Sequence, residues 1–237
     1  MTRSWSKFIS EIGEIVKLSG GKPKWASFGL SDAADYRFSE GVVRSRDGRI
    51  TVSVAGTLFD NSVMGVTAAA AVAAILGAGA DPECVGRAAR SFEPLPHRMN
   101  VVDTIKGIVF VDDSKATNLA AMAAALDMSR VPVRLIAGGQ LKEKDLALPG
   151  KQIESKVRGL YLVGDAARDM KRAWGAIVPC KPCGTLDNAV ATAWRDAVPG
   201  DTILLSPGCA SFDQFKSFED RGKQFREMVK RINKEMV

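Results

Sequence analysis

Histidine occurs once in this chain of 237 residues, at His97, and cysteine only four times. A structural metal site needs four suitable ligands. Cys180-Lys181-Pro182-Cys183 has no second pair and stands far from His97 along the sequence, so neither a zinc site nor a disulfide framework is expected. A redox pair has no better support, and Cys84 and Cys209 read as ordinary reduced residues in small spaces. Long apolar runs are also missing. The longest, Gly65–Ala80, is alanine-rich and shorter than the roughly 18 residues that span a bilayer, so it reads as a buried helix. The opening MTRSWSKFISEIGEIV carries Glu11 and Glu14 and lacks a continuous apolar core with a small-residue cleavage site. No secretory signal or membrane partner is expected, and the cytoplasm is the default. Nor is there a dense basic block. The formal charge is +6, and the richest stretch, Lys216–Lys234, is interleaved with Glu219, Asp220 and Glu227. Such a pattern reads as a solvated helix face; it argues against a nucleic-acid partner and for small anionic metabolites.

What is present is enough apolar material, 46% of residues, for one sizeable core or two modest ones. Met1–Lys24 has Phe8, Ile12, Ile15 and Val16 at helical spacing and ends at Gly20-Gly21 and Pro23. A β-rich patch follows, with strand candidates at Trp25–Gly29, Tyr36–Phe38, Val42–Arg46 and Ile50–Val54, the last two joined by an Asp47-Gly48 hairpin signal. Helices are expected over Gly65–Gly77 and Pro82–Ser91. Pro94 and Pro96 then mark Phe92–His97 as a linker. Beyond it strands and helices alternate. Strands are expected at Val101–Thr104, Ile108–Val111, Val133–Ala137, Gly159–Val163 and Thr202–Leu205, with helices after Asn118, up to Trp174, over Leu186–Ala197 and at the carboxyl terminus. Alternation of this kind implies a parallel sheet with right-handed crossovers.

The organising stretch is Gly107–Met128. Ile108–Val111 is a β-branched and aromatic run that stops at Asp112-Asp113-Ser114-Lys115, and Leu119, Met122, Ala123 and Leu126 then recur at helical spacing. A strand that feeds a helix through a polar turn places that turn at the carboxyl edge of the sheet. The helix start offers free N–H groups to an anion, and Thr117 and Asn118 are each candidates to cap the helix or to bond a ligand. The bland alternative is a capped turn with a solvated lysine. The other parallel strands end similarly, in Gly138-Gly139 with Lys142, in Gly164-Asp165 and in Ser206-Pro207-Gly208. Parallel strands share one carboxyl edge, so Asp113, Lys115, Lys142 and Ser211 are expected to converge on a small polyanion.

These blocks carry a resemblance. Pro96-His97-Arg98, Asp112-Asp113-Ser114-Lys115-Ala116-Thr117-Asn118, Gly138-Gly139 with Lys142, Leu204 through Phe215 (LLSPGCASFDQF) and Phe218-Glu219-Asp220-Arg221-Gly222 occur in the order seen in the carboxyl-terminal domain of the Mur ligases. Among those the segment most resembles the D-glutamate-adding branch. Trp25–Gly29, Ala34-Asp35-Tyr36 and Gly56–Ala70 resemble the end of that family's central ATPase domain. The resemblance implies an α/β protein, with residues 1–93 the remnant of a nucleotide-binding domain plus an N-terminal helix. Residues 94–237 would form a Rossmann-like amino-acid-binding domain with a mostly parallel sheet.

The function it implies is peptidoglycan-precursor synthesis: ATP, with Mg2+, activates UDP-N-acetylmuramoyl-L-alanine as an acyl phosphate, which D-glutamate attacks. Lys115 and Thr117 would hold glutamate or the reacting groups. Lys142 would pair with a glutamate carboxylate, and Ser211 and Phe218 would complete the pocket. Arg98 would reach ATP phosphates, Asp113 the ribose, and Asn61 the adenine. The residues themselves leave other roles open, since Phe218 would also suit a core position, and Ser211 and Asp113 could each cap a helix. The sequence departs from the family in three places. Asp60-Asn61 and Met64 replace the usual His-Asn-x-x-Asn segment, Gln140-Leu141 replaces a small, acidic pair, and no G-x-x-x-x-G-K-[ST] phosphate loop occurs. Two expectations follow: the docking half of a ligase, incomplete as an enzyme, or a non-catalytic partner subunit whose phosphate loop sits on another chain.

Overall fold

The computed structural model describes residues 26–129, 132–143 and 145–235. The helix expected over Met1–Lys24, and Trp25 at the head of the first strand candidate, lie outside the described residues. The chain divides into two compact units, Met1–Asp60 with Gly65–Arg90, and Asn61–Met64 with Ser91–Val237.

The first unit is a small sheet in the order β1-β2-β3-β4, formed by Phe28–Gly29, Tyr36–Ser39, Val42–Ser45 and Thr51–Ser53. β1 runs parallel to β2, and the remaining pairs are antiparallel. The Asp47-Gly48 signal does make the β3–β4 turn, with Gly48 at φ 72° and its N–H on Ser45 O. Alternate strand residues Phe38, Val43, Val52 and Val54 bury against Ala68, Ala69 and Val72 of α1 (Ser62–Gly77), with Ala89 of α2 (Glu83–Ser91). Only one stripe of α1 is buried, and Thr67 and Ala74 are exposed, which corrects the expectation of a buried helix. Alanine favours helix without needing burial, and its small side chain lets one stripe pack closely. At Gly65 an added Cβ would collide with the Phe38 ring, so the helix meets the sheet there without a side chain of its own.

The second unit is a six-stranded sheet in the order β5-β6-β10-β7-β8-β9. Its strands are Asn100–Ile105, Ile108–Asp112, Val133–Gly138, Val157–Val163, Cys180–Gly184 and Thr202–Leu205 for β5 to β10 in chain order. β5 is antiparallel to β6 through the two-residue turn Lys106-Gly107, both at positive φ, as a right-twisted hairpin requires. All other pairs are parallel. Helices α3 (Leu119–Met128), α4 (Gly150–Lys156), α5 (Ala167–Trp174), α6 (Leu186–Asp196) and α7 (Phe218–Glu235) complete the unit.

Strand alternation divides the core in two. Leu135, Ala137, Leu160, Leu162 and Leu204 face α3, α4 and α5. Ile136, Tyr161, Val163, Ile203 and Leu205 face α6 and α7. Two elements escaped the sequence pattern. α4 is a single polar helix with one buried residue, Ile153. β9, Cys-Lys-Pro-Cys-Gly, is an edge strand without apolar alternation, and its proline is tolerated only at an edge. Cys180 packs on one face of the sheet and Cys183 on the other, so the C-x-x-C is strand sequence. No helix among the described residues is long and apolar enough to cross a membrane.

The Gly138-Gly139 pair ends β7 at φ 122° and 125°. A Cβ at Gly138 would lie 2.0 Å from Val163 O, and one at Gly139 2.3 Å from Ala210 O. Backbone cannot yield to that degree without opening the sheet edge. Gly138→Ala is therefore expected to destabilise the protein by about 3 kcal/mol or more, measured by urea unfolding. A loss below about 1 kcal/mol would show that this edge relaxes freely.

Candidate functional site

β10 lies between β6 and β7, and its chain leaves for α7 on one face of the sheet, whereas β6 and β7 lead to α3 and α4 on the other. Neighbouring strands whose connections part in opposite directions leave a crevice at their carboxyl ends. Three turns meet there: Asp113–Asn118 after β6, Gly139–Glu143 after β7, and Ser206–Ser211 after β10. Gln140 and Ala210 exchange both backbone hydrogen bonds, at 2.9 and 3.0 Å, which joins the second turn to the third. Gly208 N–H donates to Ala116 O at 2.9 Å, joining the third to the first. Glu143 Oε2 accepts from Leu119 N–H at 3.0 Å, joining the second to the first.

Lys115, Thr117, Lys142 and Ser211 thus stand on one ring of tied turns. Lys142 is exposed, Lys115 and Thr117 are half-buried, and Ser211 is buried. Phe218, at the start of α7, joins them, since Lys115 Nζ lies 3.7 Å from the centre of its ring, a cation–π contact. Phe218 is half-buried and also meets His97 edge-on, with ring centres 6.3 Å apart. Of the residues considered as helix caps, one serves and three, Thr117, Asp113 and Ser211, do not. Asn118 caps α3 through Ala121 N–H. Ser217, not Ser211, accepts from Asp220 N–H at the head of α7. The first N–H of α3, expected to face an anion, is taken by the Glu143 carboxylate.

The residues assigned to ATP by resemblance are less closely joined. Arg98 is exposed, and its flanking residues His97 and Met99 hold left-handed φ values of 63° and 48°. Asp112, fully buried, takes His97 Nδ1 at 2.7 Å and Arg226 Nε at 2.7 Å on one oxygen. Its other oxygen accepts from Ser114 N–H. Asp113, 7% exposed, accepts from Met99 N–H and from Ser206 Oγ, one bond on each oxygen. A ribose would find only the lone pairs left by those bonds. Asn61 Oδ1 accepts from Val63 and Met64 N–H and so caps α1. Among the described residues no group of three or more His, Cys, Asp or Glu could hold a metal ion.

Sequence reasoning left two residues of this rim without a role. Arg221, 1% exposed, donates to Ser114 Oγ, Ser114 O and Cys209 O at 2.8 to 3.2 Å. It lies at helical spacing from the buried Phe225 and Val229, and its charge hid it among the other cations of α7. Phe212, beside Ser211, is 67% exposed, and an exposed aromatic between two polar residues was the available signal.

Burial pushes the Asp113 carboxyl up from 3.8 to about 7, against the lowering pull of Ser206, Met99 and Arg98. Between those values the unfolded chain has released this proton while the folded chain keeps it. The group's contribution to stability is therefore whole below pH about 4 and is lost as pH rises to about 7, on the order of 4 kcal/mol. Asp113→Asn has no titrating proton: its Oδ1 still accepts from Met99 N–H, and its Nδ2 donates to Ser206 Oγ. Its stability relative to the unsubstituted chain is expected to rise across that window, measured by urea unfolding at several pH values; a difference that does not vary with pH would refute the shift.

Residues 97–209 match the family model described as the Mur ligase, glutamate ligase domain. The chain is 39% identical over 222 residues to the UDP-N-acetylmuramoylalanine–D-glutamate ligase of Pelodictyon phaeoclathratiforme, covering 87% of this chain and 47% of that protein. It is 46% identical over 166 residues to the enzyme of that name from Rhodospirillum rubrum, covering 68% of this chain and 34% of that one. It thus spans less than half the length of either relative. In fold it is similar to the MurF ligase of Thermotoga maritima in complex with ADP, with a TM-score of 0.55, 18% identity, and coverage of 86% of this chain and 46% of that one. E. coli FolC in complex with ADP gives a TM-score of 0.56 at 19% identity over 94% of this chain and 52% of that one. With its motif blocks in order on one sheet edge, the chain belongs to the Mur ligase family, through the glutamate ligase domain that it carries.

Proposed function

We propose that the chain supplies the amino-acid-docking half of a ligase that joins D-glutamate to UDP-N-acetylmuramoyl-L-alanine, in the synthesis of peptidoglycan precursors. The observation that carries this reading is the ring of three tied turns, with Lys115 and Lys142 on it. A dicarboxylate needs two anchoring cations held at a fixed spacing, and charge-assisted bonds to both are stronger than neutral ones. Lys142 pairs with one carboxylate of D-glutamate. Lys115 and Thr117 hold the other reacting groups, and Ser211 and Phe218 close the pocket.

ATP would activate the precursor's carboxylate as an acyl phosphate, and two neighbours in fold are ADP complexes. Arg98, exposed on its strained bend, suits a phosphate. Asp113 already accepts from Met99 N–H and Ser206 Oγ and Asn61 from two backbone N–H groups, so each would offer the nucleoside its remaining lone pairs; the described residues hold no group of three or more His, Cys, Asp or Glu for Mg2+. In this reading residues 1–93 are the end of the nucleotide-binding domain and residues 94–237 the docking domain. A second reading is a partner subunit of a split ligase with no catalysis of its own. A stable companion chain bearing a phosphate loop, recovered by co-purification, would distinguish it.

Calorimetry tests the docking. The chain is expected to bind D-glutamate, and Lys142→Ala to weaken that binding by about ten- to a hundredfold while leaving ATP affinity alone. Unchanged D-glutamate affinity removes Lys142 from the site. Mixed with ATP, Mg2+, D-glutamate and the UDP precursor, the 237-residue chain by itself is expected to release no phosphate; sustained release would show that it holds a phosphate seat of another design.

A further inference from the structure

Arg221 brings a full charge into the interior, and every hydrogen bond it makes goes to a neutral oxygen. Burial lowers its pKa to about 10, so it keeps its proton at neutral pH. For stability alone this is a poor choice, because an apolar side chain of similar volume serves a buried position as well or better. A guanidinium does something that such a side chain cannot. It is a planar fork whose donors stand at fixed angles, so the groups it bonds are held at fixed separations.

Both ends of that fork bear on the pocket. Nε donates to Ser114 Oγ at 2.9 Å, and the same hydroxyl donates to Phe218 O at 2.8 Å. The ring of that phenylalanine lies under Lys115 Nζ. Nη1 and Nη2 both reach Cys209 O at 3.2 Å. The next residue, Ala210, is paired with Gln140, and Ser211 follows. Ser114 Oγ, as acceptor and donor at once, transmits the arginine's position to the head of α7.

We infer that Arg221 is a positioning residue for the amino-acid pocket: its fork sets the spacing between the Lys115 turn and the Ser211 turn, and with it the seat of Phe218 beneath Lys115. The occupant of that pocket rests on the docking reading above; the spacing itself does not. Arg221→Lys keeps a buried cation and removes the fork, so it separates charge from geometry.

The direct readout is the NMR signal of the Lys115 ε-methylene, which the Phe218 ring shifts upfield; its loss in Lys115→Arg identifies it. In Arg221→Lys most of that shift is expected to vanish while circular dichroism and the other lysine signals stay as they were. D-Glutamate binding is expected to weaken about tenfold or more. A folded Arg221→Lys chain with the full upfield shift overturns the inference. Ser114→Ala removes the shared hydroxyl from the other end and is expected to give the same loss of shift. Should Arg221→Lys fail to fold, a full shift in Ser114→Ala overturns the inference equally. If the unsubstituted chain binds no D-glutamate, yet the shift is present and both substitutions abolish it, the docking reading fails and the positioning role stands.

Discussion

The placement of β10 is the constraint from which the rest of the larger unit follows. It is the last strand made, yet it pairs with β6 and β7 in the middle of the sheet. All four of its residues are buried, as a parallel strand covered on both faces requires. Its insertion separates β6 from β7 and brings Ser206–Ser211 between their turns. The cross-links that close the rim, Gln140 with Ala210 and Gly208 with Ala116, exist only because that strand arrives there.

Central placement also forces charge indoors. Asp112 and Asp113 at the end of β6, and Arg221 in α7, are all nearly or fully buried. Burying an ion costs several kcal/mol unless partners replace its water. Asp112 has two cationic or ionisable neighbours, His97 and Arg226, and one backbone N–H. Asp113 has only neutral donors in contact, and its proton is held up to about pH 7 in consequence. Gly222 belongs to the same arrangement, since a Cβ there would lie 2.1 Å from His97 Nδ1 and expel the ring from Asp112.

The sheet was legible because its strands are apolar runs ending in glycine, serine or aspartate, and periodicity reports burial directly. Ile108–Val111, Val133–Ala137, Gly159–Val163 and Thr202–Leu205 all lie within strands of the structure. β9 was not legible, since an edge strand with one paired side needs no apolar alternation. The meeting of Lys115, Lys142 and Ser211 on one edge was legible from topology alone. Glu143 on the start of α3 was not, because side-chain reach across 24 residues leaves no periodic trace. Arg221 was hidden for a related reason. In a helix rich in Lys, Arg and Glu its spacing from Phe225 and Val229 was a faint mark, and its charge argued the other way; the neutral oxygens that receive it reveal the choice.

Glu143 also bears on what the rim can attract. With its carboxylate on the first N–H of α3, the helix dipole is already met by a fixed negative group. Attraction for a further anion then falls to the lysines. Among the described residues neither Lys115 nor Lys142 is in an ion pair. Lys115 rests on an aromatic face, which orients an ammonium without neutralising it. Of the carboxylates at these turns, Asp112 is matched by Arg226, Glu143 is engaged by the start of α3, and Asp113 holds its proton below about pH 7, while Glu219 feels the charge of Lys115. The rim is thus tied in its backbone, with its two lysines outside any ion pair among the described residues. A guest with two negative groups would meet one such lysine from each of two turns that the backbone ties together, and this is the physical ground of the docking proposed above.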